Sequence, residues 1–365
     1  MTRLLVIKTS SMGDVVHGLV AAAVVRAHRP DLRLHWVVEE AFADVVRRSV
    51  LVEHVHVLAL RRWRKRLFRY NGLGDTWREI RQFVRGLQAQ TYDQLIDAQG
   101  LVKSAVVNRL AEVHGPRWGF DAQSARERPA AWAVDRGVQS PPTDHAVRRL
   151  LTLFGQALDI PPLMNLGPDD QPLVYDPQSV FASDPNTRRQ MQEGGDVARL
   201  MSIASRPQDG STSRVAYRGL VLMAHGSSRS EKTWAVEHWQ QLATKVSAAG
   251  FVPVFPSGHS EEFQRAQQLA QSCHGLALTP RSLAEMGEWL ASAQVVVGVD
   301  SGLTHWAAAM GRPTLGLFLS TPISRFGLQW AAHGRSLDRR SAEPAAVFDQ
   351  MQAWLAQDTG ALACS

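Results

Sequence analysis

Cysteine is scarce in this 365-residue sequence, which contains only Cys273 and Cys364. Two cysteines that far apart form neither a disulfide framework nor a closely spaced pair of metal ligands, so we expect a reducing compartment. The sequence also lacks any run of the roughly 20 apolar residues that a membrane-spanning helix needs. The apolar run after Arg3 is too short for the core of a signal peptide. We therefore expect a cytoplasmic protein, either soluble or peripheral on a membrane surface.

Length and composition predict more than one globular domain. The chain is 45% hydrophobic and 20% charged, which excludes a disordered or collagen-like protein, and a domain usually contains about 100–200 residues. A stretch rich in Pro, Asp, Gln, Gly and Ser at 165–213 is too long for a loop within one compact domain. We predict an N-terminal domain at 1–164, a linker with a polar insertion at 165–213, and a C-terminal domain at 214–340. A final helix and tail at 341–365 could pack on either domain.

Hydrophobic periodicity predicts that strands and helices alternate in both halves. The first half contains predicted strands at 3–8, 32–38, 54–60 and 93–97, and predicted helices at 15–28, 76–88, 101–111 and 144–158. The second half contains strands at 218–224, 251–255, 294–299 and 313–318, with helices at 235–249, 261–272 and 282–293 and a short helix from Gly302. Such alternation is typical of parallel β–α–β units. The predicted fold class is α/β, with two Rossmann-like domains that each contain a parallel sheet.

Positive charge is concentrated in the first half of the chain. The net charge is +6, but residues 1–150 contain 24 Lys and Arg against 15 Asp and Glu, a net charge of +9, and the remainder carries −3. The densest segment is 61–69, with six cations and interleaved aromatic residues. This run is either a solvated helix face or a binding surface for a partner with several negative charges. No helix-turn-helix or RNA-binding signature accompanies it, which disfavours nucleic acid.

Two motifs in the first half follow predicted strands. The turn after the first strand lacks the G-x-G-x-x-G pattern of dinucleotide-binding proteins and instead contains Ser11 and Asp14. These two residues have the spacing of a helix capping box, and Asp14 could equally serve as a general base, provided that burial offsets the stabilisation of its charge by the helix N-terminus. At 97–103, Gly100 and Lys103 open another helix after a strand, which suits an anion site; an Asp cap with a solvated lysine is the alternative.

Two further motifs lie in the second half. Ser227, Ser228 and Lys232 follow a strand, and two hydroxyls with a nearby lysine can bind phosphate oxygens. The segment 299–305 contains Asp300 and His305 around a helix start whose backbone amides could hold a diphosphate. A simple helix cap with a structural histidine is the alternative interpretation of that segment.

Five segments together resemble the lipopolysaccharide heptosyltransferases, a family of inverting ADP-heptose glycosyltransferases with the GT-B architecture. They are KTSSMGDVVH (8–17), HWVVEEAFADV (35–45), RRWRKRLF (61–68), YDQLIDAQGLVKSA (92–105) and VDSGLTHWAAA (299–309). The resemblance covers most of the chain except 165–213, and it implies two Rossmann-like domains that face each other across a cleft. The implied reaction moves L-glycero-D-manno-heptose from ADP-heptose to the first Kdo of Kdo2-lipid A, at the cytoplasmic face of a Gram-negative inner membrane.

The same resemblance implies roles for individual residues. Asp14 matches the general base. The donor-binding residues are expected to be Ser227, Ser228, Lys232, Glu262, Asp300, Ser301, Gly302, Leu303 and His305, with Glu261 as the alternative to Glu262 for the nucleoside contact. Serine replaces the family's usual threonine at 227, 228 and 301, which keeps the hydroxyl. The acceptor-binding residues are expected to be Ser11, Gly13, Arg61, Arg62, Arg64, Lys65, Gln99, Lys103 and Arg126.

The expected partners are ADP-heptose, Kdo2-lipid A and an anionic membrane surface, with no nucleic acid. We expect no required cofactor and no metal, because the sequence shows no carboxylate cluster arranged to hold one. Three other functions compete with this one. They are a related heptosyltransferase that adds a later heptose, a noncatalytic nucleotide-binding module with a basic membrane-associating face, and an NAD-linked oxidoreductase, which the missing glycine pattern disfavours.

Overall fold

The chain forms two compact units, Met1–Ala182 and Ser183–Ser365, which are called unit 1 and unit 2 below. The computed structural model describes residues 1–68, 73–161, 173, 175–181, 218–227 and 229–356. Most of the predicted linker at 165–213 lies outside the described residues. Its described segment at 175–181 packs on unit 1, where the Val50 N–H donates to Val180 O at 3.2 Å and Ser49 pairs with Phe181 in an isolated antiparallel bridge. That part of the predicted linker therefore belongs to unit 1.

Unit 1 consists of a parallel sheet with connecting helices. Its strands are β1 (Thr2–Ile7), β2 (Leu32–Glu39), β3 (Val52–Leu58), β4 (Gln94–Asp97), β5 (Arg117–Phe120) and β6 (Arg136–Val138). Its α-helices are α1 (Met12–His28), α2 (Ala43–Arg47), α3 (Leu60–Phe68), α4 (Leu73–Gln88), α5 (Val102–Leu110), α6 (Ala146–Ala157) and α7 (Pro177–Val180), and short 3₁₀ segments occur at Glu40–Phe42 and Arg128–Ala133.

Unit 2 repeats this arrangement. Its strands are β7 (Gly219–Ala224), β8 (Phe251–Phe255), β9 (Leu276–Ala277), β10 (Val295–Val299), β11 (Thr314–Phe318) and β12 (Gly334–Asp338). Its described α-helices are α8 (Val236–Ala248), α9 (Ser260–Gln271), α10 (Leu283–Ser292), α11 (Gly302–Ala309), α12 (Ile323–Phe326) and α13 (Pro344–Leu355), with a 3₁₀ turn at Ser230–Lys232.

The two sheets have equivalent strand orders. The order is β3-β2-β1-β4-β5-β6 in unit 1 and β9-β8-β7-β10-β11-β12 in unit 2, and all named strand pairs are parallel. Both follow the 3-2-1-4-5-6 order of the Rossmann fold. The predicted class, α/β with two Rossmann-like parallel sheets, is confirmed for each unit.

The central strands are almost entirely apolar because helices cover both faces of each sheet. Residues 4–7 of β1 and all of β10 are buried. In unit 2, the last helix, α13, inserts Val347, Met351 and Trp354 into the core that α8 and the central strands form. The final helix, for which the sequence left both domains open, therefore packs in unit 2. Among the described helices, none has both the length and the apolar composition to cross a membrane.

Candidate functional site

In each sheet, the first three strands are added towards one edge and the next three towards the other edge. The candidate residues lie near the point where this order changes. In unit 1 this switch point lies between β1 and β4, and in unit 2 it lies between β7 and β10. Open α/β sheets bind ligands in the crevice beyond the carboxyl ends of the strands at such a point. The sequence motifs at 8–14 and 97–103 follow the first strand pair, and those at 225–232 and 299–305 follow the second.

Asp14 caps helix α1 and also faces a lysine. The backbone N–H and the Oγ of Ser11 both donate to Asp14 Oδ2, at 3.0 and 2.9 Å, so the predicted capping interaction exists. The other oxygen, Oδ1, lies 3.9 Å from Lys8 Nζ. The Lys8 ammonium is buried and donates to Ala98 O at 2.9 Å. The Asp14 side chain remains 28% exposed, and among the described residues its hydrogen bonds are made by Oδ2 only.

The electrostatics of this pair keep Asp14 ionised. Burial by itself would raise the pKa of Asp14, but the charge of Lys8 and the two hydrogen bonds from Ser11 outweigh it and hold that pKa below its ordinary value. Burial lowers the pKa of Lys8, although Asp14 opposes this shift. A stronger base would require burial to raise the pKa of Asp14, but the net shift is downward. Asp14 is therefore a weak base that is charged at neutral pH.

The loop after β4 is built around a buried carboxylate. Asp97 Oδ1 accepts hydrogen bonds from the N–H groups of Gln99 and Gly100, at 2.9 and 3.1 Å, and Oδ2 accepts one from Ser104 Oγ at 2.9 Å. Desolvation raises the pKa of Asp97 despite these bonds. Gly100 has a positive φ of 64°, a conformation that favours glycine. Asp97 is therefore a structural residue of the loop.

Two predicted acceptor residues connect this loop to the turn after β1. Gln99 is buried, and its Oε1 accepts hydrogen bonds from the N–H groups of Thr9 and Ser10, at 2.9 and 3.1 Å. Lys103 Nζ donates to Ser10 Oγ at 3.2 Å. The structure therefore brings Gln99 and Lys103 to the Asp14 side of the sheet, where Gln99 positions the β1–α1 turn.

The basic run forms helix α3, and its cations have different surroundings. The Arg62 guanidinium donates to both oxygens of Glu40, at 3.0 Å each, and to Glu79 at 2.7 Å. Arg61 donates its backbone N–H to Glu39 at 3.1 Å, and its side-chain charge lowers the pKa of Lys103 after the larger effect of burial. Arg61 is thus near the loops of the site, whereas Arg62 is held by carboxylates.

The remaining predicted acceptor residues lie at the surface of unit 1. Arg64 and Lys65 are exposed on α3, and Ser11 and Gly13 lie at the start of α1. Arg126 is also exposed, and its charge acts on Lys8, Asp14 and Lys103. These charge effects show that Arg126 is close enough to the candidate base Asp14 to influence its pKa.

The switch point of unit 2 is organised around Asp300. Its Oδ2 accepts hydrogen bonds from Lys232 Nζ at 2.6 Å and Thr321 Oγ1 at 2.7 Å, and its Oδ1 lies 3.1 Å from His305 Nε2. Burial opposes the charge of Asp300, but the contacts with His305, Lys232 and Thr321 together hold its pKa well below its ordinary value. The carboxylate is 8% exposed. The predicted residues Lys232, Asp300 and His305 thus form one network.

Helix α11 begins beside this network. Ser301 is its N-cap, and Gly302 and Leu303 occupy its first turn, where backbone N–H groups have no partner within the helix. Such a helix start suits an anionic group. The predicted segment 301–303 therefore lies directly next to the Lys232–Asp300 pair and could bind a diphosphate.

Glu262 lies against the loop after β7. Its Oε2 accepts a hydrogen bond from the Gly258 N–H at 2.6 Å, and a Cβ atom at Gly226 would overlap its carboxylate. Glu261, the alternative in the sequence, is exposed. Ser227 follows Gly226 and is partly buried, whereas the predicted residue Ser228 lies outside the described residues.

Sequence reasoning missed two members of these sites. Lys8 ends the first apolar strand, and Thr321 comes shortly after β11, the strand beside β10. Both lie at the carboxyl ends of strands, which is the signal that could have identified them. No group of three or more His, Cys, Asp or Glu side chains that could hold a metal ion occurs in the described ranges.

Comparisons with known proteins show the family of this chain. A family model described as Glycosyltransferase family 9 (heptosyltransferase) matches residues 80–345. The chain is 35% identical over 328 residues to lipopolysaccharide heptosyltransferase 1 of Escherichia coli K12, which covers 89% of this chain and 90% of that protein. It is also 35% identical over 335 residues to lipopolysaccharide heptosyltransferase 1 of Pseudomonas aeruginosa, covering 92% of this chain and 82% of that protein.

A solved structure shows the same similarity. The E. coli heptosyltransferase WaaC with ADP matches at a TM-score of 0.73 and 31% sequence identity, over 96% of this chain and 99% of that chain. The family model covers well over half of the sequence, and the relatives exceed 30% identity over nearly its full length. The chain belongs to glycosyltransferase family 9, the heptosyltransferases.

Proposed function

We propose that this enzyme transfers L-glycero-D-manno-heptose from ADP-heptose to a hydroxyl of the first Kdo of Kdo2-lipid A, with inversion at the anomeric carbon. A new bond forms between the acceptor oxygen and the anomeric carbon while the bond from that carbon to the ADP oxygen breaks. The hydroxyl proton passes to a carboxylate of unit 1, and ADP leaves from unit 2. Two observations support this assignment: the ionised carboxylate of Asp14 in unit 1 with the Lys232–Asp300 pair in unit 2, and the relatives named lipopolysaccharide heptosyltransferase 1.

The observation that carries the proposal is the state of Asp14. The carboxylate is ionised, lies at the switch point of its sheet, is 28% exposed, and makes its hydrogen bonds with the described residues through Oδ2 only. Its low pKa does not prevent general-base catalysis, because the attacking hydroxyl becomes strongly acidic as its oxygen bonds to carbon. A weak base that is always charged near neutral pH can therefore receive the proton late in the reaction.

Unit 2 supplies the groups that suit the ADP leaving group. The β-phosphate gains negative charge as the sugar departs, and cations or backbone amides already in place stabilise that charge. Lys232 and the N–H groups of Gly302 and Leu303 meet this requirement, and Ser227 and Ser228 add hydroxyls. Since Asp300 accepts from Lys232 at 2.6 Å, we infer that Asp300 positions the lysine. We place the nucleoside against Glu262, and no step requires a metal.

The acceptor accounts for the charge of unit 1. Kdo carries a carboxylate and lipid A carries phosphates, which Arg and Lys side chains bind through charge-assisted hydrogen bonds. Arg61, Arg64 and Lys65 are available for this role, with Lys103 and Arg126 near the base. Because Glu40 and Glu79 hold Arg62, we expect that residue to orient α3 rather than to bind the acceptor. We also propose that the enzyme is cytoplasmic and contacts the anionic inner membrane peripherally.

Variants of the basic run separate these roles. Arg61→Ala with Arg64→Ala should raise the KM for the acceptor by about tenfold or more and leave the Kd for ADP unchanged. Arg62→Ala should instead lower the free energy of unfolding, because it removes the ion pairs to α4 and to Glu40. Equal losses of acceptor and donor binding in the Arg61/Arg64 variant would contradict the assignment of this surface to the acceptor.

The direct test is a transfer assay without added metal. The protein is incubated with ADP-heptose and Kdo2-lipid A, and the product is weighed by mass spectrometry, with the Asp14→Asn variant as the control for catalysis. One heptose should be added by the wild-type protein and none at a comparable rate by the variant. If the enzyme prefers Kdo2-lipid A that already carries one heptose, it adds a later heptose rather than the first. If the protein binds ADP but transfers no sugar, the enzymatic proposal is refuted.

A further inference from the structure

Exposed apolar side chains are distributed unevenly over the described residues. Eight large hydrophobic side chains are exposed, and all of them belong to unit 1. Single exposed apolar residues are common on soluble proteins, so their grouping is more informative than their number. One group lies on helix α4, which is also next to the densest positive charge in the sequence.

The outer face of α4 combines aromatic, aliphatic and basic side chains. Leu73, Trp77, Arg81 and Arg85 follow one another at intervals of four residues, so they share one face of the helix. Trp77 is 52% exposed. Trp77, Arg81 and Arg85 line a shallow surface depression together with Ile80 and Val84. The opposite face of α4 packs through Phe83 and Leu87 on the core of unit 1, and Ile80 lies at the boundary between the two faces.

The negative charges of this region are already neutralised. Helices α3 and α4 carry eight Lys and Arg against two acidic residues. Glu79 accepts hydrogen bonds from Arg62, Arg66 and the indole of Trp63, at 2.7 to 2.8 Å, and Asp75 pairs with Arg78 at 2.6 Å. Arg81 and Arg85 form no ion pair with any described residue. The outer face of α4 is therefore positively charged.

A tryptophan beside arginines on a helix surface suits the boundary of an anionic bilayer. The indole ring is favoured where apolar and aqueous regions meet, and basic side chains are attracted by the negative surface potential of acidic lipids. The helix is too polar to insert across a bilayer, so it fits the class of helices that lie in the interface plane. A nucleic acid would use the arginines but would leave the aliphatic residues Leu73 and Val84 without a partner.

We propose that the outer face of α4, with Trp77, Arg81 and Arg85, binds the surface of an anionic lipid bilayer. This inference deepens the proposed function, because it names the surface through which an enzyme with a lipid acceptor meets the membrane. None of these residues belongs to the acceptor or donor sites described above. Membrane binding can therefore be lost while sugar transfer to a water-soluble Kdo acceptor is retained.

The test measures sedimentation of the full chain with vesicles of phosphatidylglycerol and phosphatidylcholine, compared with vesicles of phosphatidylcholine alone. The protein should bind the anionic vesicles only. Trp77→Ala and the double variant Arg81→Glu/Arg85→Glu should each weaken this binding by about tenfold or more. Circular dichroism and transfer to the water-soluble acceptor should match the wild type, which separates this proposal from the proposed reaction.

Trp132→Ala is the matched control. Trp132 is 54% exposed on the same unit and lies 5.6 Å from the Arg109 guanidinium, so it is a similar Trp–Arg pair outside α4. The control should bind anionic vesicles like the wild type. The proposal is overturned if the α4 variants bind normally, if Trp132→Ala weakens binding as much as they do, or if the wild-type protein binds RNA but no vesicles.

Discussion

Replacing Asp14 by alanine removes a helix cap and a candidate base at once, and a second capping box allows the two effects to be separated. In unit 2, the backbone N–H and Oγ of Ser282 donate to Glu285 at 3.0 and 2.8 Å. The equivalent distances from Ser11 to Asp14 are 3.0 and 2.9 Å. Glu285→Ala is therefore the matched control, since it removes the same capping geometry at a residue that is assigned to neither catalysis nor binding.

Both alanine variants should lose stability, but only Asp14→Ala should also lose turnover. Each alanine variant should lose about 1 kcal/mol of unfolding free energy from the cap, and Asp14→Ala should lose somewhat more because Lys8 also loses its carboxylate partner. Removal of a general base typically lowers turnover by about 10²–10⁴-fold, or about 3–5 kcal/mol of transition-state stabilisation. Only Asp14→Ala should show this loss.

Urea unfolding and steady-state transfer kinetics with Kdo2-lipid A measure the two effects on the same preparations. A calorimetric Kd for ADP shows whether unit 2 remains intact in the Asp14 variant. If Asp14→Ala loses stability to the same degree as Glu285→Ala and keeps near-normal turnover, Asp14 is a cap only, and the assignment of the base is refuted.

Three further predictions concern other parts of the molecule. Burial lowers the pKa of His35 to about 4 and of His56 to about 3 from 6.5, so the unfolding free energy should fall as pH drops below 6.5, when the unfolded chain binds protons that the folded state excludes. Urea titrations across this range should show a smaller fall in a His35→Gln/His56→Gln variant. Thr321→Val should raise the KM for ADP-heptose by about tenfold through loss of its hydrogen bond to the donor-site carboxylate, which steady-state kinetics at varied donor concentration can measure. Glu262→Gln should weaken calorimetric ADP binding about tenfold, whereas Glu261→Gln should leave it unchanged; the reverse result would exchange their roles.

The sequence predicts the long apolar strands, including the edge strand β3, but it misses the short strands β5, β6 and β9 and the exposed edge strand β12, for a physical reason. The interior strands β1 and β10 are buried on both faces, so they form apolar runs that periodicity detects. The strands β6 and β12 lie at sheet edges, and β9 has only two residues. Their residues are largely exposed or half-buried, so they carry no apolar run. Their pairing depends on the neighbouring strand rather than on their own composition.

The candidate sites show the same limit. The positions of Asp14, Lys232 and Asp300 beyond the strand ends were predictable, because their motifs begin directly after a strand of a repeated β–α unit. The difference between Arg61 and Arg62 was not, because it depends on α4, a separate helix that brings Glu79 within 2.7 Å of one guanidinium and not the other. Composition identifies a basic run, but only tertiary packing determines which of its cations already have partners.

The three buried or half-buried aspartates at the switch points differ in how many of their carboxylate oxygens accept hydrogen bonds from the described residues. Asp97 has both oxygens bonded by the protein, and Asp300 has both bonded as well, to Lys232, Thr321 and His305. Both of these carboxylates already accept hydrogen bonds at each oxygen, and the residues are only 1% and 8% exposed, so a substrate hydroxyl has little access to them. Asp14 concentrates its hydrogen bonds on Oδ2 and leaves Oδ1 with a lysine 3.9 Å away. Of the three aspartates, Asp14 therefore best fits the proton-accepting role that we propose, and the geometry of Asp97 and Asp300 suits positioning roles.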